Sequence, residues 1–168
     1  TASFTGGGDA CSFDPPPGAT AFVPAPATLP RGRALPQGLF QFKLLGCEEG
    51  STVTMEVTWP EPLSTAAGDY LKHGFASPAE RDSDTRSYFA PNGLVVSGHT
   101  ATFSVTDGGL GDDDWTQDGT IADPSGPLQA AAVAPVPVPV PGLGPWALAL
   151  LTLLAAALGL CRGRKIMR

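Results

Sequence analysis

Carboxylates are concentrated in one stretch of the chain, "DGGLGDDDWTQDGTIADPSGP", which covers residues 107–127. Six aspartates fall within 17 residues of this stretch, among several glycines. Carboxylate oxygens are the ligands that calcium prefers in proteins, and flexible turns allow several of them to converge. The stretch does not follow the EF-hand spacing, because no glutamate closes it. A calcium site here would use five ligands: Asp107, Asp112, Asp113, Asp114 and Asp118.

The same stretch has a second interpretation, which the sequence leaves open. Aspartate side chains bond to nearby backbone amides, and glycine adopts positive φ, so both residue types are typical of turns. A loop of this kind after a strand needs no metal. The sequence therefore predicts either no cofactor or calcium, with the residues above as the ligands in the second case.

Groups that could support hydrolysis are few. The histidines of the chain are His73 and His99, and "VSGHT" places Ser97 close to His99. Both of these residues fall on a predicted hairpin tip, where water would surround them. The sequence contains no G-x-S-x-G, H-E-x-x-H or Gly-rich phosphate loop. We therefore predict that the protein is not an enzyme and assign no catalytic residue.

Charge is distributed unevenly along the chain. Residues 1–142 hold all 16 acidic residues and six basic ones, whereas the last seven residues carry four basic residues. An acidic body is unsuited to nucleic acid, whose binding proteins are basic. The prediction is thus of a protein with no nucleic-acid partner.

An uncharged run occupies residues 143–161, directly before "RGRKIMR". A helix of this length spans about 28 Å, close to the hydrocarbon thickness of a bilayer, which is about 30 Å. Eight of the 19 residues are leucine, which favours insertion. Basic residues after such a run remain in the cytoplasm. The sequence predicts one transmembrane helix, a cytoplasmic C-terminus and an exported body.

The residues around this helix resemble the IPTL-CTERM sorting signal. A Pro-rich lead, "VPGLGPW", a Leu/Ala span and a basic tail carry the resemblance. Signals of this group are read by exosortase-type membrane proteases in Gram-negative bacteria. The resemblance thus implies a processing protease as a partner, in addition to the membrane. The sorting-signal residues are Pro141, Leu143, Trp146, Arg162, Arg164 and Lys165.

Strict alternation of apolar and polar residues marks three strands, in residues 39–46, 51–59 and 100–107. Alternation of this kind is typical of half-buried antiparallel strands. The short "GCEEGS" connection predicts a hairpin of the first two strands, and Ser97-Gly98 predicts the turn of a second hairpin. Seven prolines within residues 14–38 exclude a helix there and leave room for one edge strand near residues 19–23. The predicted fold class is mainly β: a small antiparallel β-sandwich, followed by a Pro-rich linker and one C-terminal transmembrane helix.

Two of the three cysteines, Cys11 and Cys47, lie on the predicted exported side. An oxidising compartment and a small core favour a disulfide between them. Such a bond would contribute about 4 kcal/mol in the chain-entropy model. Cys161 lies at the inner edge of the span, where it is either a free thiol or, as the alternative, a lipidated cysteine.

The body resembles the choice-of-anchor U domain. "GLFQFKLLGCEEGSTVTMEVTWPEPL", "DYLKHG" and "SGHTATFSVTDGGLGDDDWTQDGTIADPSGP" carry the resemblance, which covers about residues 11–127. That domain is a bacterial extracellular module joined to several alternative C-terminal anchors. The resemblance implies location and anchoring, and it supplies no biochemical activity.

Together these observations predict a non-catalytic exported surface protein, with a calcium-dependent adhesion or matrix-binding module as the alternative. Its body would be exported from a single-pass inner-membrane anchor of a Gram-negative bacterium, destined for the cell surface or extracellular matrix, with an unknown ligand there. The predicted organisation is a Pro/Gly-rich segment at 1–36 tied in by Cys11, the β-sandwich at 37–127, the linker at 128–142, the transmembrane helix at 143–161 and a basic tail at 162–168.

Overall fold

The structure is a computed structural model that describes residues 1–15, 20–132, 149–150 and 152–154. The chain divides into two compact units, Thr1–Ala132 and Val133–Arg168. The first unit contains twelve strands and one short helix among its described residues. In chain order these are β1 (Ala2–Gly6), β2 (Ser12–Phe13), β3 (Ala21–Val23), β4 (Arg33–Ala34), β5 (Leu39–Leu45), β6 (Thr52–Thr58), β7 (Tyr70–Gly74), α1 (Pro78–Asp82), β8 (Ser87–Phe89), β9 (Asn92–Ser97), β10 (Thr100–Thr106), β11 (Ile121–Pro127) and β12 (Gln129–Ala130).

The first sheet has four strands in the order β1-β6-β10-β9, and all of its pairs are antiparallel. Its centre is the pair of β6 and β10, in which Met55 lies opposite Phe103. Val53, Met55 and Val57 are buried on one face of β6, while the residues between them are exposed or half-buried. This alternation is the one that the sequence predicts, because side chains of a strand point to opposite faces in turn.

The second sheet has six strands, five of which follow the order β2-β5-β11-β7-β8. The sixth strand, β3, also pairs with β5. All of its pairs are antiparallel. Strand β12 pairs with β4 as a separate two-stranded sheet. The Pro-rich N-terminal segment therefore contributes strands to the sheets, and its strand β3 lies where the sequence predicts an edge strand.

One core lies between the two larger sheets. Tyr70 of the six-stranded sheet packs against Phe103 of the four-stranded sheet, with ring centroids 5.9 Å apart, and against Trp59 at 6.2 Å. The prediction of a mainly β, antiparallel fold is confirmed, and the two sheets share this core. Its buried members are Phe40, Phe42, Leu44, Cys47, Val53, Met55, Val57, Trp59, Tyr70, Ala101, Phe103, Val105 and Ile121.

A smaller apolar cluster lies around Leu35, Leu39 and Leu128. Val23, Ala25 and Leu29 of the Pro-rich segment pack against it, together with Leu71 and Tyr88. Prolines keep this segment extended, so it covers a strand surface without forming a helix.

Two predictions about connectivity have different outcomes. The hairpin that turns at Ser97 and Gly98 is confirmed, because β9 and β10 pair across it. The hairpin between β5 and β6 is wrong, because these strands belong to different sheets. Each of them finds other neighbours: β1 and β10 flank β6, while β2, β3 and β11 pair with β5. The "GCEEGS" connection therefore passes from one sheet to the other.

The predicted loop of residues 107–127 is also shorter than expected, because its last seven residues form β11. Pro124 argues against an interior strand, since proline cannot donate to a ladder. Pairing with β7 begins at Ser125, so Pro124 lies beyond the end of that ladder. Pro124 therefore pairs with β5 but not with β7.

The only helix described in the first unit, α1, has five residues. Ser77 caps it by accepting a hydrogen bond from the Glu80 backbone amide, and Pro78 occupies its first turn.

In the second unit, residues 149–150 and 152–154 are helical. Among the described residues, no helix has the length and apolar character needed to cross a membrane. Most of the predicted transmembrane helix, at 143–161, lies outside the described residues.

Candidate functional site

Residues 107–120, called here the Asp-rich loop, connect β10 to β11. Asp107 is fully buried at its start. Its Oδ2 atom accepts hydrogen bonds from the backbone amides of Gly50 at 2.8 Å and Gly119 at 3.0 Å. Its Oδ1 atom is buried and accepts no hydrogen bond from the part of the chain that the structure describes. The carboxylate thus joins both ends of the loop to the connection between the two sheets.

Asp112 is also fully buried, in the middle of the loop. Its carboxylate accepts hydrogen bonds from the amides of Gly108 at 2.8 Å and Ala122 at 3.1 Å. Burial raises the pKa of Asp112 to about 7, although these two hydrogen bonds oppose the rise. Nearby Asp114 and Asp107 add to the increase, since like charges disfavour ionisation.

The other three carboxylates of the loop have separate partners. Asp113 forms an ion pair with Arg86 at 2.7 Å, and the Arg86 guanidinium lies 4.5 Å from the ring centroid of Phe75. Asp114 accepts a hydrogen bond from the amide of the residue two positions on, and so does Asp118, both at 2.8 Å. These are Asx-turn bonds, which stabilise a loop locally.

The five predicted calcium ligands therefore lie in one loop, but each has its own bonding partners. Among residues 1–15 and 20–132, no three acidic, histidine or cysteine side chains are grouped so that they could hold a metal. The turn interpretation accounts for the hydrogen bonds that are present. The calcium site stays a prediction.

A buried ion pair lies beneath this loop, and the sequence analysis missed it. Lys72 on β7 and Asp123 on β11 are 0% and 2% exposed, with the Lys72 Nζ atom 2.6 Å from the Asp123 Oδ2 atom. The Nζ atom also donates to the Gly111 carbonyl at 3.5 Å and lies 4.7 Å from the ring centroid of Phe103. Both residues occupy inward positions of alternating strands, and that spacing is the signal that could have revealed them.

Burial affects the charged states of this pair and its surroundings. It lowers the pKa of Lys72 and raises that of Asp123 to about 6, while the attraction between the two opposes both changes. Burial also raises the pKa of Tyr70, whose hydroxyl lies 3.2 Å from the Ser125 hydroxyl. The interior at this point is therefore polar but sealed from water.

His73 follows Lys72 on β7 at a half-buried position, and His99 lies at the hairpin between β9 and β10. The ring of His73 lies against Tyr88, with centroids 4.6 Å apart, and burial lowers the pKa of His73. The Nδ1 atom of His99 lies 3.2 Å from the Trp59 carbonyl oxygen, just after the hairpin turn that contains Ser97. Each histidine thus contacts another residue of the β unit, Tyr88 in the case of His73 and Trp59 in the case of His99.

The structure contains the predicted disulfide between Cys11 and Cys47, with Cα atoms 4.1 Å apart. Its Cys47 end lies in the connection between β5 and β6, where the Cys47 amide donates to the Gly119 carbonyl at 3.0 Å. The disulfide thus fastens the N-terminal segment to the connection that also contacts the Asp-rich loop.

These features define a disulfide-bonded, antiparallel β unit with a buried ionic pair. The IPTL-CTERM motif matches residues 138–165 of the chain. This match supports a C-terminal sorting signal of an exported, envelope-anchored protein, and it is consistent with membrane association and an exosortase-type processing enzyme. The predicted signal residues, Pro141, Leu143, Trp146, Arg162, Arg164 and Lys165, fall inside the match but outside the described residues. No curated protein and no solved structure matches the chain.

Proposed function

We propose that this chain is a non-catalytic surface protein of the choice-of-anchor U kind, exported by a Gram-negative bacterium. A single-pass helix at residues 143–161 holds it in the inner membrane, with the β unit on the exported side. An exosortase-like protease then cuts near the Pro-rich linker and delivers the β unit to the cell surface or extracellular matrix.

The observation that carries this proposal is the match of residues 138–165 to the IPTL-CTERM motif. Two further features support it. A disulfide persists in an oxidising compartment, which agrees with export of the β unit. The basic residues after the apolar run favour a cytoplasmic C-terminus.

The proposal that the protein is non-catalytic draws on the bonding of its polar groups. In the described Asp-rich loop, Asp107, Asp112, Asp114 and Asp118 accept hydrogen bonds from backbone amides. Carboxylates used in this way stabilise a loop and are poorly placed to exchange protons with a substrate. Surface presentation, rather than turnover, is the role that this arrangement supports.

The test is the intact mass of the protein in membrane and surface fractions of its native cell. We expect a chain that ends between residues 135 and 146 in the surface fraction. Trp146→Ala lies within the motif and should leave the full-length chain in the membrane. Asp82→Asn, at an exposed position of α1 in the β unit, is the control and should be processed normally. A full-length wild-type chain confined to the membrane would show that the helix is a plain anchor.

A calcium-dependent adhesion or matrix-binding module is the second candidate. One observation favours it: the buried Oδ1 atom of Asp107 accepts no hydrogen bond from the described residues, which leaves an oxygen for a cation. Isothermal titration of the full chain with calcium tests this role. Heat that is lost in Asp107→Asn but retained in Asp82→Asn would support it, and the absence of heat in the wild type would eliminate it.

A further inference from the structure

The Lys72–Asp123 pair joins neighbouring strands of the six-stranded sheet. Lys72 lies opposite Ser125 in the register of β7 and β11, so Asp123 is its diagonal neighbour on the same face. The Nζ and Oδ2 atoms are 2.6 Å apart, although Oδ2 accepts no aligned hydrogen bond within the described residues. The Lys72 amine and the Asp123 carboxyl group are therefore in direct contact.

The surroundings of the pair exclude water. Both side chains are essentially inaccessible, and the ring of Phe103 covers the Lys72 amine at 4.7 Å. Gly111 closes the site from the Asp-rich loop, where an added Cβ atom would lie 2.7 Å from the Nζ atom. Two charges in such a place lose their hydration, and mutual attraction compensates for the loss only in part.

The chemical consequence is a shift toward the uncharged forms. Burial lowers the pKa of the Lys72 amine and raises that of the Asp123 carboxyl to about 6. Proton transfer from the ammonium to the carboxylate would yield a free amine beside a carboxylic acid. A desolvated free amine is a nucleophile, and the carbon of a protonated carboxyl is an electrophile.

We propose that Lys72 and Asp123 condense into an intramolecular amide bond that joins β7 to β11. The Nζ atom attacks the Cγ atom of Asp123 and forms an N–C bond. The C–O bond to the hydroxyl oxygen breaks, and that hydroxyl takes one proton from the nitrogen and leaves as water. One N–H remains on the amide, and no oxidant or further reactant is needed.

The geometry suits this step. A carboxyl C–O bond is about 1.2 Å long, so the Nζ atom lies within about 3.8 Å of the Cγ atom. Reaction needs an approach of about 3–3.5 Å, which is a displacement of a few tenths of an ångström. The Gly111 carbonyl, 3.5 Å from the Nζ atom, supplies an acceptor for the N–H that the product retains. The amide also removes both charges from the core.

The position of the bond fits a protein that is held by its C-terminus. Strand β11 is the last long strand of the β unit, and the chain continues from it toward the sorting signal. Force on an anchored chain would reach β11 after only the two-residue strand β12, and an amide to β7 would prevent β11 from separating. The inference does not depend on the proposed function, because the bond can form whether or not the helix is cleaved.

Mass spectrometry of the full chain, reduced and denatured, tests the proposal. We expect a mass lower than that of the sequence by one water, about 18 Da. Trypsin should fail to cut after Lys72, because an amidated lysine is not a substrate, and should release residues 44–81 joined to residues 87–162. If the C-terminal helix has been removed, the second fragment ends earlier but stays joined. A full mass, with cleavage after Lys72, would show that the pair is only ionic.

Two variants locate the bond. Lys72→Arg keeps the positive charge but offers a guanidinium, which stays protonated and is not a nucleophile. It should have the full mass and be cut at position 72. Lys43→Arg changes a half-buried lysine of β5 in the same sheet and should still lack one water. A water deficit that persists in Lys72→Arg would place the bond elsewhere and overturn the assignment.

Discussion

Asp107 and Gly119 hold the two ends of the Asp-rich loop together, through a 3.0 Å hydrogen bond from the Gly119 amide to the Asp107 carboxylate. The same oxygen accepts a 2.8 Å hydrogen bond from the Gly50 amide. One buried carboxylate therefore fixes the loop to the connection between β5 and β6. Cys47 lies in this same connection.

Asp107→Ala should destabilise the protein by about 3 kcal/mol or more. The substitution leaves the half-buried amide of Gly50 and the buried amide of Gly119 without their acceptor. A hydrogen bond to a charged group contributes about 1.5–3 kcal/mol. Asp118→Ala removes an exposed Asx-turn bond and should cost less than about 1 kcal/mol. Urea unfolding measures both. Equal losses in the two variants would contradict the special role of Asp107.

Gly119→Ala should be more harmful than Gly98→Ala. Both glycines have positive φ, +75° and +59°, so each substitution carries a conformational cost of about 1–2 kcal/mol. At Gly119 the added Cβ atom would also lie 2.4 Å from the Cys47 carbonyl oxygen, whereas Gly98 faces open space. We expect an extra loss of about 1–3 kcal/mol at Gly119 from this overlap. Thermal unfolding followed by circular dichroism compares them, and similar midpoints would refute the difference.

Loss of the disulfide should destabilise the β unit by about 4 kcal/mol, because the bond closes a long loop in the unfolded chain. Cys11 and Cys47 are 36 residues apart in the sequence. Unfolding of the full chain in urea, with and without reductant, measures the effect. Cys161→Ser is the control and should respond to reductant as the wild type does. A midpoint that is insensitive to reductant would contradict this prediction.

Stability should decrease as the pH rises from about 4 to about 7, in part because of Asp112. Its pKa rises from the ordinary 3.8 to about 7 in the folded protein, so the folded state binds this proton more tightly than the unfolded state does. The stabilisation from this proton is complete below the pKa that Asp112 has in the unfolded state. It is lost as the pH rises through the pKa that Asp112 has in the folded state. Urea midpoints at pH 5 and pH 8 test the effect.

The contribution of Asp112 is isolated by comparing two variants across the same pH range. Asp112→Asn cannot ionise, so its stability should depend less on pH than that of the wild type. Asp82→Asn, at an exposed position of α1, should keep the wild-type dependence. An unchanged pH dependence in Asp112→Asn would mean that other groups cause it.

The alternation of apolar and polar residues predicts individual strands correctly. It marked β5, β6 and β10 because each has one face in the core, and a period of two is a direct consequence of that burial. The alternation could not predict which strands pair, because β5 and β6 would show the same pattern in a hairpin or in two different sheets. The choice between these arrangements depends on β1 and β11, which lie far away in the sequence.

The candidate site was predicted in part for a similar reason. Residue types identified the Asp-rich loop and the cysteine pair, because aspartate clusters and exported cysteines have few common uses. The Lys72–Asp123 pair was missed, because a charged residue on a strand usually indicates a solvent-exposed position. Only the register of β7 against β11 brings the two together, and that register is a property of the whole sheet.

The central place of β11 has a consequence for the timing of biosynthesis. It lies between β5 and β7, so the six-stranded sheet stays in two parts until residues 121–127 have been made. The residues that match the sorting motif begin only eleven positions after that strand ends. The sheet can therefore close only after synthesis has nearly reached the sorting motif, and a chain truncated before residue 121 leaves β5 without β11 as a neighbour.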